Sequence, residues 1–123
     1  MRVLLKRDIL ETIIEAAWNA HPRETLFLLR GSLHKGEAVV EELLVPPLAN
    51  YGYGFTSFPS FMLPFDPSII GSAHSHPSGS LRPSVEDLNL AYGAILIIIA
   101  YPYGEDRIAA YNGRGNRLTL KLV

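Results

Sequence analysis

A chain of 123 residues, 48% of them hydrophobic, is long enough to bury a core without disulfide or metal staples, and it reads as one domain spanning residues 1–123. The absence of cysteine excludes disulfides, thiolate zinc knuckles, iron–sulfur clusters, a cysteine nucleophile and the Cys-x-x-Cys half of a zinc deaminase site, so any transition-metal centre must use histidine and carboxylate. Eleven Lys and Arg against twelve Asp and Glu give a formal charge of −1, which offers no pull towards nucleic acid. The longest apolar run, residues 94–100, is far short of the ~20 residues of a membrane span, and Asp8 and Glu11 interrupt any signal-peptide pattern; a soluble cytoplasmic protein is expected.

Asp8 followed three residues later by Glu11 has the form of a capping box. Ile9, Leu10, Ile13, Ile14, Ala17 and Trp18 then recur at helical spacing as far as Pro22, which predicts an amphipathic helix over residues 8–20. Residues 24–30, rich in Leu and Phe and closed by Gly31, read as a strand; Gly36 opens a second strand running to Val45, so a hairpin is expected. Seven prolines and glycines break up residues 46–68 into an irregular excursion, although Tyr51, Tyr53 and Phe55 alternate as one face of a short strand would. Residues 69–76 follow as a strand ending at Pro77, residues 84–92 as a helix, and residues 94–101 as an apolar run suited to a central strand buried on both faces. Residues 107–111 and 117–123 close the chain as two strands. This order predicts an α/β (α+β) domain with a mixed β-sheet sandwiched by helices.

The chemistry concentrates in residues 74–87. Side chains two apart on an extended strand point the same way, so His74 and His76 converge while Ala73 and Ser75 face the other side. If Asp87 returns on the helix that follows the loop of residues 77–83, two imidazoles and one carboxylate supply three ligands to one metal ion and leave a fourth position for water, whose pKa zinc lowers from about 15.7 to about 7. That ligand set points to hydrolysis. Ser84-Val85-Glu86-Asp87 also reads as a capping box that needs no metal; the two readings are compatible, because Asp87 can accept the Ser84 N–H through one oxygen and bind metal through the other. A metal-bound water also needs a nearby base. Glu24, Glu37, Glu41, Glu42 and Glu86 are candidates that spacing does not separate, and Glu24 stands out only because it opens a very apolar strand. His21 and His34 read as helix-end and turn residues, Arg82 as a solvated loop residue rather than a steering charge for an acidic substrate patch, and Tyr101, Tyr103 and Tyr111 as strand residues with polar tips at the surface.

His-Ser-His-Pro at residues 74–77, a gap of seven residues between the second histidine and Ser84, then Ser-x-x-Asp, resembles the signature of the JAMM (MPN+) metalloprotease family. His21-Pro22-Arg23-Glu24, ahead of the apolar strand, is similar to that family's upstream glutamate segment, and the resemblance covers nearly the whole chain. It implies an MPN/cytidine-deaminase-like core in which His74, His76 and Asp87 bind one catalytic zinc ion, Glu24 is the general acid/base and Ser84 stabilises the oxyanion. It also implies, as substrates, ubiquitin-like β-grasp modifier proteins ending in Gly-Gly and their lysine conjugates; charge and the short apolar runs argue separately against nucleic acid and membrane as partners. A di-glycine tail suits a narrow slot beside an exposed strand edge, with the aromatic and proline residues from Tyr51 to Phe65 as candidate modifier contacts. Three alternatives stand beside this. One is release of amino acids from sulfur-carrier tails. Another is the bacterial RadC group, which the His-x-His-Pro-Ser-Gly run also resembles, but which the lack of basic bias and the Glu24 segment disfavour. The third is a metal-free MPN interaction module, disfavoured because every motif position is filled.

Overall fold

The computed structural model describes residues 1–46, 66–89 and 93–123. In chain order its elements are β1 (Arg2–Leu5), α1 (Arg7–Ala20), β2 (Leu26–His34), β3 (Glu37–Leu44), β4 (Ile69–His76), α2 (Val85–Asn89), β5 (Ile95–Ala100), β6 (Ile108–Asn112) and β7 (Arg117–Leu122). The strands run β1-β3-β2-β4-β5-β6-β7, and β1 pairs again with β7 to close the sheet into a barrel. Pairings of β1 with β3, β1 with β7 and β4 with β5 are parallel and the rest antiparallel, so the sheet is mixed as expected. Closure gives each of the seven strands two neighbours, but β1 covers only Glu37–Val40 of β3, so among the described residues Glu41–Leu44 have β2 alone as a neighbouring strand. Most of the excursion, with the Tyr51–Phe55 alternation and the candidate contacts up to Phe65, lies outside the described residues, as does the expected end of the second helix beyond Asn89.

The hairpin of β2 and β3 forms as predicted, but β1 was not foreseen. Four residues carry little periodicity, and their partners β3 and β7 lie far along the chain, so only closure of the barrel defines them. β1 also changes how α1 begins. Lys6 is the N-cap and makes no side-chain cap, while Asp8 is already inside the helix and its carboxylate accepts the adjacent Ile9 N–H, at 2.9 Å. The predicted Asp8–Glu11 capping box is therefore absent. Its task is met by the barrel, since the Arg7 N–H donates to the Val123 carbonyl at 3.2 Å.

α1 buries Ile9, Leu10, Ile13 and Ala17 against Ile95, Ile97 and Ile99 and the inner residues of β1 and β3. On the opposite face of β5, Leu96 and Ile98 pack with Ala109 and Tyr111, covered by Leu81 and by Leu88 of α2. Each face of the central strand thus carries one helix. That is why its run of six residues is buried throughout and apolar throughout. β4 lies between β2 and β5, with all eight residues buried. Leu29 pairs with Gly71 but Arg30 with Ile69, so Ile70 is an inserted residue that resets the alternation ahead of the histidines. Gly71 permits the close approach of β4 to β5: a Cβ there would stand 2.1 Å from the Ile95 carbonyl oxygen. Among the described residues no helix is long and apolar enough to cross a membrane.

Candidate metal and catalytic site

His74 and His76 occupy the last turn of alternation in β4, held in register by Leu26 on one side and by Ile98 and Ala100 on the other. Asp87 comes from the first turn of α2. Ser84 caps that helix: its Oγ accepts the Asp87 N–H at 2.9 Å, and an Asp87 oxygen accepts the Ser84 N–H at 2.8 Å. The capping box read from Ser84-Val85-Glu86-Asp87 is therefore present, and it aims the carboxylate back at β4. Asp87 Oδ2 lies 2.9 Å from His76 Nε2, and Oδ1 lies 3.7 Å from His74 Nδ1. All three side chains are buried.

The proton inventory of this trio is informative. His76 Nδ1 lies 2.8 Å from the Ser80 carbonyl, an acceptor only, so Nδ1 carries the hydrogen. The neutral ring then turns a lone pair on Nε2 towards the carboxylate, and two acceptors at 2.9 Å repel unless a positive charge sits between them. That charge can be a proton or a metal cation. The two contacts use different oxygens of Asp87: Oδ2, which also accepts the Ser84 N–H, faces His76, and Oδ1 faces His74. Among the described residues no three histidine or carboxylate side chains already form an open cage around an ion. Instead Asp87 is in direct hydrogen-bond contact with His76, and His74 Nε2 lies 3.2 Å from the Ser72 hydroxyl.

The electrostatics follow from burial and this pairing. Burial pushes His74 down to about 4, only partly opposed by the Asp87 charge. Burial also works against charge on His76, but the Asp87 and Ser80 hydrogen bonds and the Asp87 and Glu24 charges raise it above the usual imidazole value. Asp87 is buried too, yet the hydrogen bonds from His76 and the Ser84 N–H, with the two ring charges, hold it at about 2. The carboxylate is thus ionised across the physiological range.

Glu24 stands just ahead of β2, half-buried, beside His76, Ser78, Ser80, Arg82, Pro83 and Ser84 around a cavity of about 280 Å³. Its position is set by its neighbour. The Thr25 N–H donates to Ser75 Oγ at 2.8 Å, and the Ser75 N–H donates to the Thr25 carbonyl at 3.2 Å. Ser75 therefore uses the face of β4 opposite the two imidazoles to anchor the segment that carries Glu24, a role that spacing alone did not show. The other candidate bases are elsewhere: Glu37 pairs with Arg2, Glu42 with Arg30, and Glu41 and Glu86 are exposed away from this cavity.

His21 is the C-cap of α1, as expected, whereas His34 is still in β2, its last residue ahead of the turn. The tyrosines differ from expectation. Tyr101 is exposed, but Tyr103 and Tyr111 are buried, and their hydroxyls are satisfied internally, by His21 Nδ1 at 2.8 Å and the Leu81 carbonyl at 2.6 Å. Buried hydroxyls with internal partners need not reach the surface.

Residues 6–112 match the family described as prokaryotic homologues of the JAB domain. A probable metalloprotease from Haloferax volcanii is 36% identical over 116 residues, covering 88% of this chain and 71% of that protein. A JAB1/MPN domain protein from Archaeoglobus fulgidus is 37% identical with a TM-score of 0.72, over 100% of this chain and 99% of its own. A structure described as JAMM, a metalloprotease-like zinc site in the proteasome and signalosome, gives the same identity and TM-score over 100% of this chain and 97% of its own. A Desulfitobacterium hafniense protein, 21% identical with a TM-score of 0.64, shares the fold. The family match spans residues 6–112, most of the chain, and on that extent the chain belongs to the prokaryotic branch of the JAB (JAMM/MPN) family.

Proposed function

We propose that this protein is a zinc-dependent isopeptidase that hydrolyses the amide bond after the C-terminal Gly-Gly of ubiquitin-like modifier proteins, freeing them from lysine side chains. The observation that carries the reading is the convergence of His74, His76 and Asp87, with facing atoms 3.7 Å apart or less, beside a cavity shared by Glu24 and Ser84. The haloarchaeal metalloprotease and the zinc-site structure support the hydrolase and the metal.

His74 and His76 through ring nitrogens and Asp87 through a carboxylate oxygen would hold the zinc, and two nitrogens with one oxygen suit it. Once bound, zinc acts as a Lewis acid on the amide carbonyl and lowers the pKa of water. Ser80 keeps the hydrogen of His76 on Nδ1 and so leaves Nε2 to the ion. Glu24, fixed through Thr25 and Ser75, takes a proton from the attacking water and returns it to the departing lysine amine. Ser84 Oγ accepts the Asp87 N–H, which leaves its own hydrogen to donate to the substrate oxygen as that oxygen gains charge.

Incubating the purified protein with lysine-linked conjugates and linear fusions of Gly-Gly-terminated modifiers, with and without a zinc chelator, tests this. Cleavage after Gly-Gly should disappear on chelation and in Glu24→Gln. Protein that carries stoichiometric zinc but leaves every such tail intact removes the substrate assignment, and protein without zinc after chelator-free purification removes the metal.

A further inference from the structure

We infer that a basic cleft adjoining the catalytic cavity binds acidic stretches of the polypeptide substrate. The cleft, about 740 Å³, lies between the loop that follows β4, α2 and the turn joining β6 to β7. Four of the chain's eleven cationic residues, Arg82, Arg107, Arg114 and Arg117, line it, and no Asp or Glu does. Arg2, Arg7 and Arg30 are each paired with carboxylates; the four cleft arginines, like the scattered Lys6, Arg23, Lys35 and Lys121, make no ion pair among the described residues, so their charge is left uncancelled where it is gathered. In a chain of net charge −1, four like charges gathered in one cleft focus a positive field on it.

The walls are ordered by contacts that leave that charge intact. Arg107 Nη2 donates to the Gly79 carbonyl, and the Arg117 guanidinium lies 5.8 Å over the Tyr111 ring, whose hydroxyl in turn holds the Leu81 carbonyl. The β6–β7 turn is seated on α2 by Gly115, which has a φ of +83°; a Cβ there would come within 3.3 Å of Leu88. Arg82 and Arg114 remain exposed at the mouth.

A planar guanidinium matches a carboxylate with two parallel hydrogen bonds, and several around one cleft select a ligand bearing several carboxylates. The occupant is an acidic polypeptide rather than a nucleic acid, because the basic surface is a compact cleft with Leu81, Leu88 and Tyr111 in its lining, not an extended stripe. Continuity with the catalytic cavity gives the same answer. Ser80, Arg82 and Pro83 line both, so a chain leaving the scissile bond passes directly into the arginine cleft. This role in substrate choice rests on the peptidase reading; the binding does not.

The test is fluorescence anisotropy of the intact protein with a labelled oligoglutamate peptide, a Gly-Ser peptide of equal length and a single-stranded oligonucleotide of equal charge. Oligoglutamate should bind, the neutral peptide should not, and Arg114→Glu with Arg117→Glu should weaken the acidic peptide about tenfold or more, as should raising the salt from ~0.05 to ~0.5 M. Lys6→Glu, ahead of α1 and beyond the other end of β7, should leave it unchanged. Equal binding of acidic and neutral peptides, equal loss in Lys6→Glu, or tighter binding of the oligonucleotide would each overturn the inference. Circular dichroism of the double variant, matching the wild type, shows that any loss is not unfolding; should it unfold, Arg114→Gln alone must still weaken oligoglutamate, or the inference fails. Wild-type protein that binds oligoglutamate yet cuts no conjugate would overturn the proposed isopeptidase substrate alone.

Discussion

The proposed mechanism gives Ser84 two tasks that one pair of substitutions separates. Its oxygen caps α2 by accepting the Asp87 N–H at 2.9 Å, and its hydrogen is assigned to the substrate oxygen. Ser84→Ala removes both. The lost cap lowers stability by about 1 kcal/mol, equivalent to roughly 3–5 °C in Tm for a domain of this size. The lost donor lowers kcat by about 10²–10³-fold. Ser84→Gly also removes the hydroxyl, but glycine is tolerated at an N-cap at a cost of only a few tenths of a kcal/mol, so Tm should scarcely move while kcat falls as far as in the alanine variant. Thermal unfolding by circular dichroism, paired with single-turnover cleavage of a Gly-Gly conjugate, measures both quantities. If the glycine variant keeps near-wild-type kcat, so that activity follows the cap, the donor role of Ser84 is wrong.

Asp87→Ala should abolish zinc retention as well as turnover, a far larger loss than in Ser84→Ala, and metal analysis by mass spectrometry reads it directly. In the metal-free protein the two imidazoles give opposite pH dependences. The folded value of His74 is about 4, so stability falls as pH drops from about 6.5 and the unfolded chain takes up a proton that the folded one refuses. The folded value of His76 is raised, so its contribution is complete below about 6.5 and is lost as pH rises through that folded value. The Tm of chelated protein should therefore peak near pH 6.5, and His76→Gln should flatten the alkaline side; an unchanged alkaline slope counts against the pairing. Gly71→Ala should be among the most damaging substitutions in the chain, costing more than about 3 kcal/mol, because the added methyl meets the backbone of β5 at 2.1 Å; chemical denaturation of the variant checks it.

Within residues 74–87 sequence was sufficient for much of the site, because the relevant distances are short along the chain. Alternation places His74 and His76 on one side of a strand, and the Ser84–Asp87 spacing is the spacing of a helix cap, so both follow from local geometry. The apolar run of β5 likewise foretold a central strand, since burial on both faces leaves no polar positions. What depended on closure of the barrel was not legible. β1 exists through partners at Glu37–Val40 and Thr119–Leu122, and the carbonyl of Val123 does for α1 what Asp8 was expected to do. Spacing did not separate Glu24 from four other carboxylates and only the family resemblance singled it out; how it is held beside the cavity needed the Thr25–Ser75 hydrogen bonds, which join segments 50 residues apart. The gathering of Arg82 with Arg107, Arg114 and Arg117 needed a turn after β6 to fold over α2. Chemistry written in one strand and the helix after it can be read from the chain, whereas contacts between distant segments are decided only when the core packs.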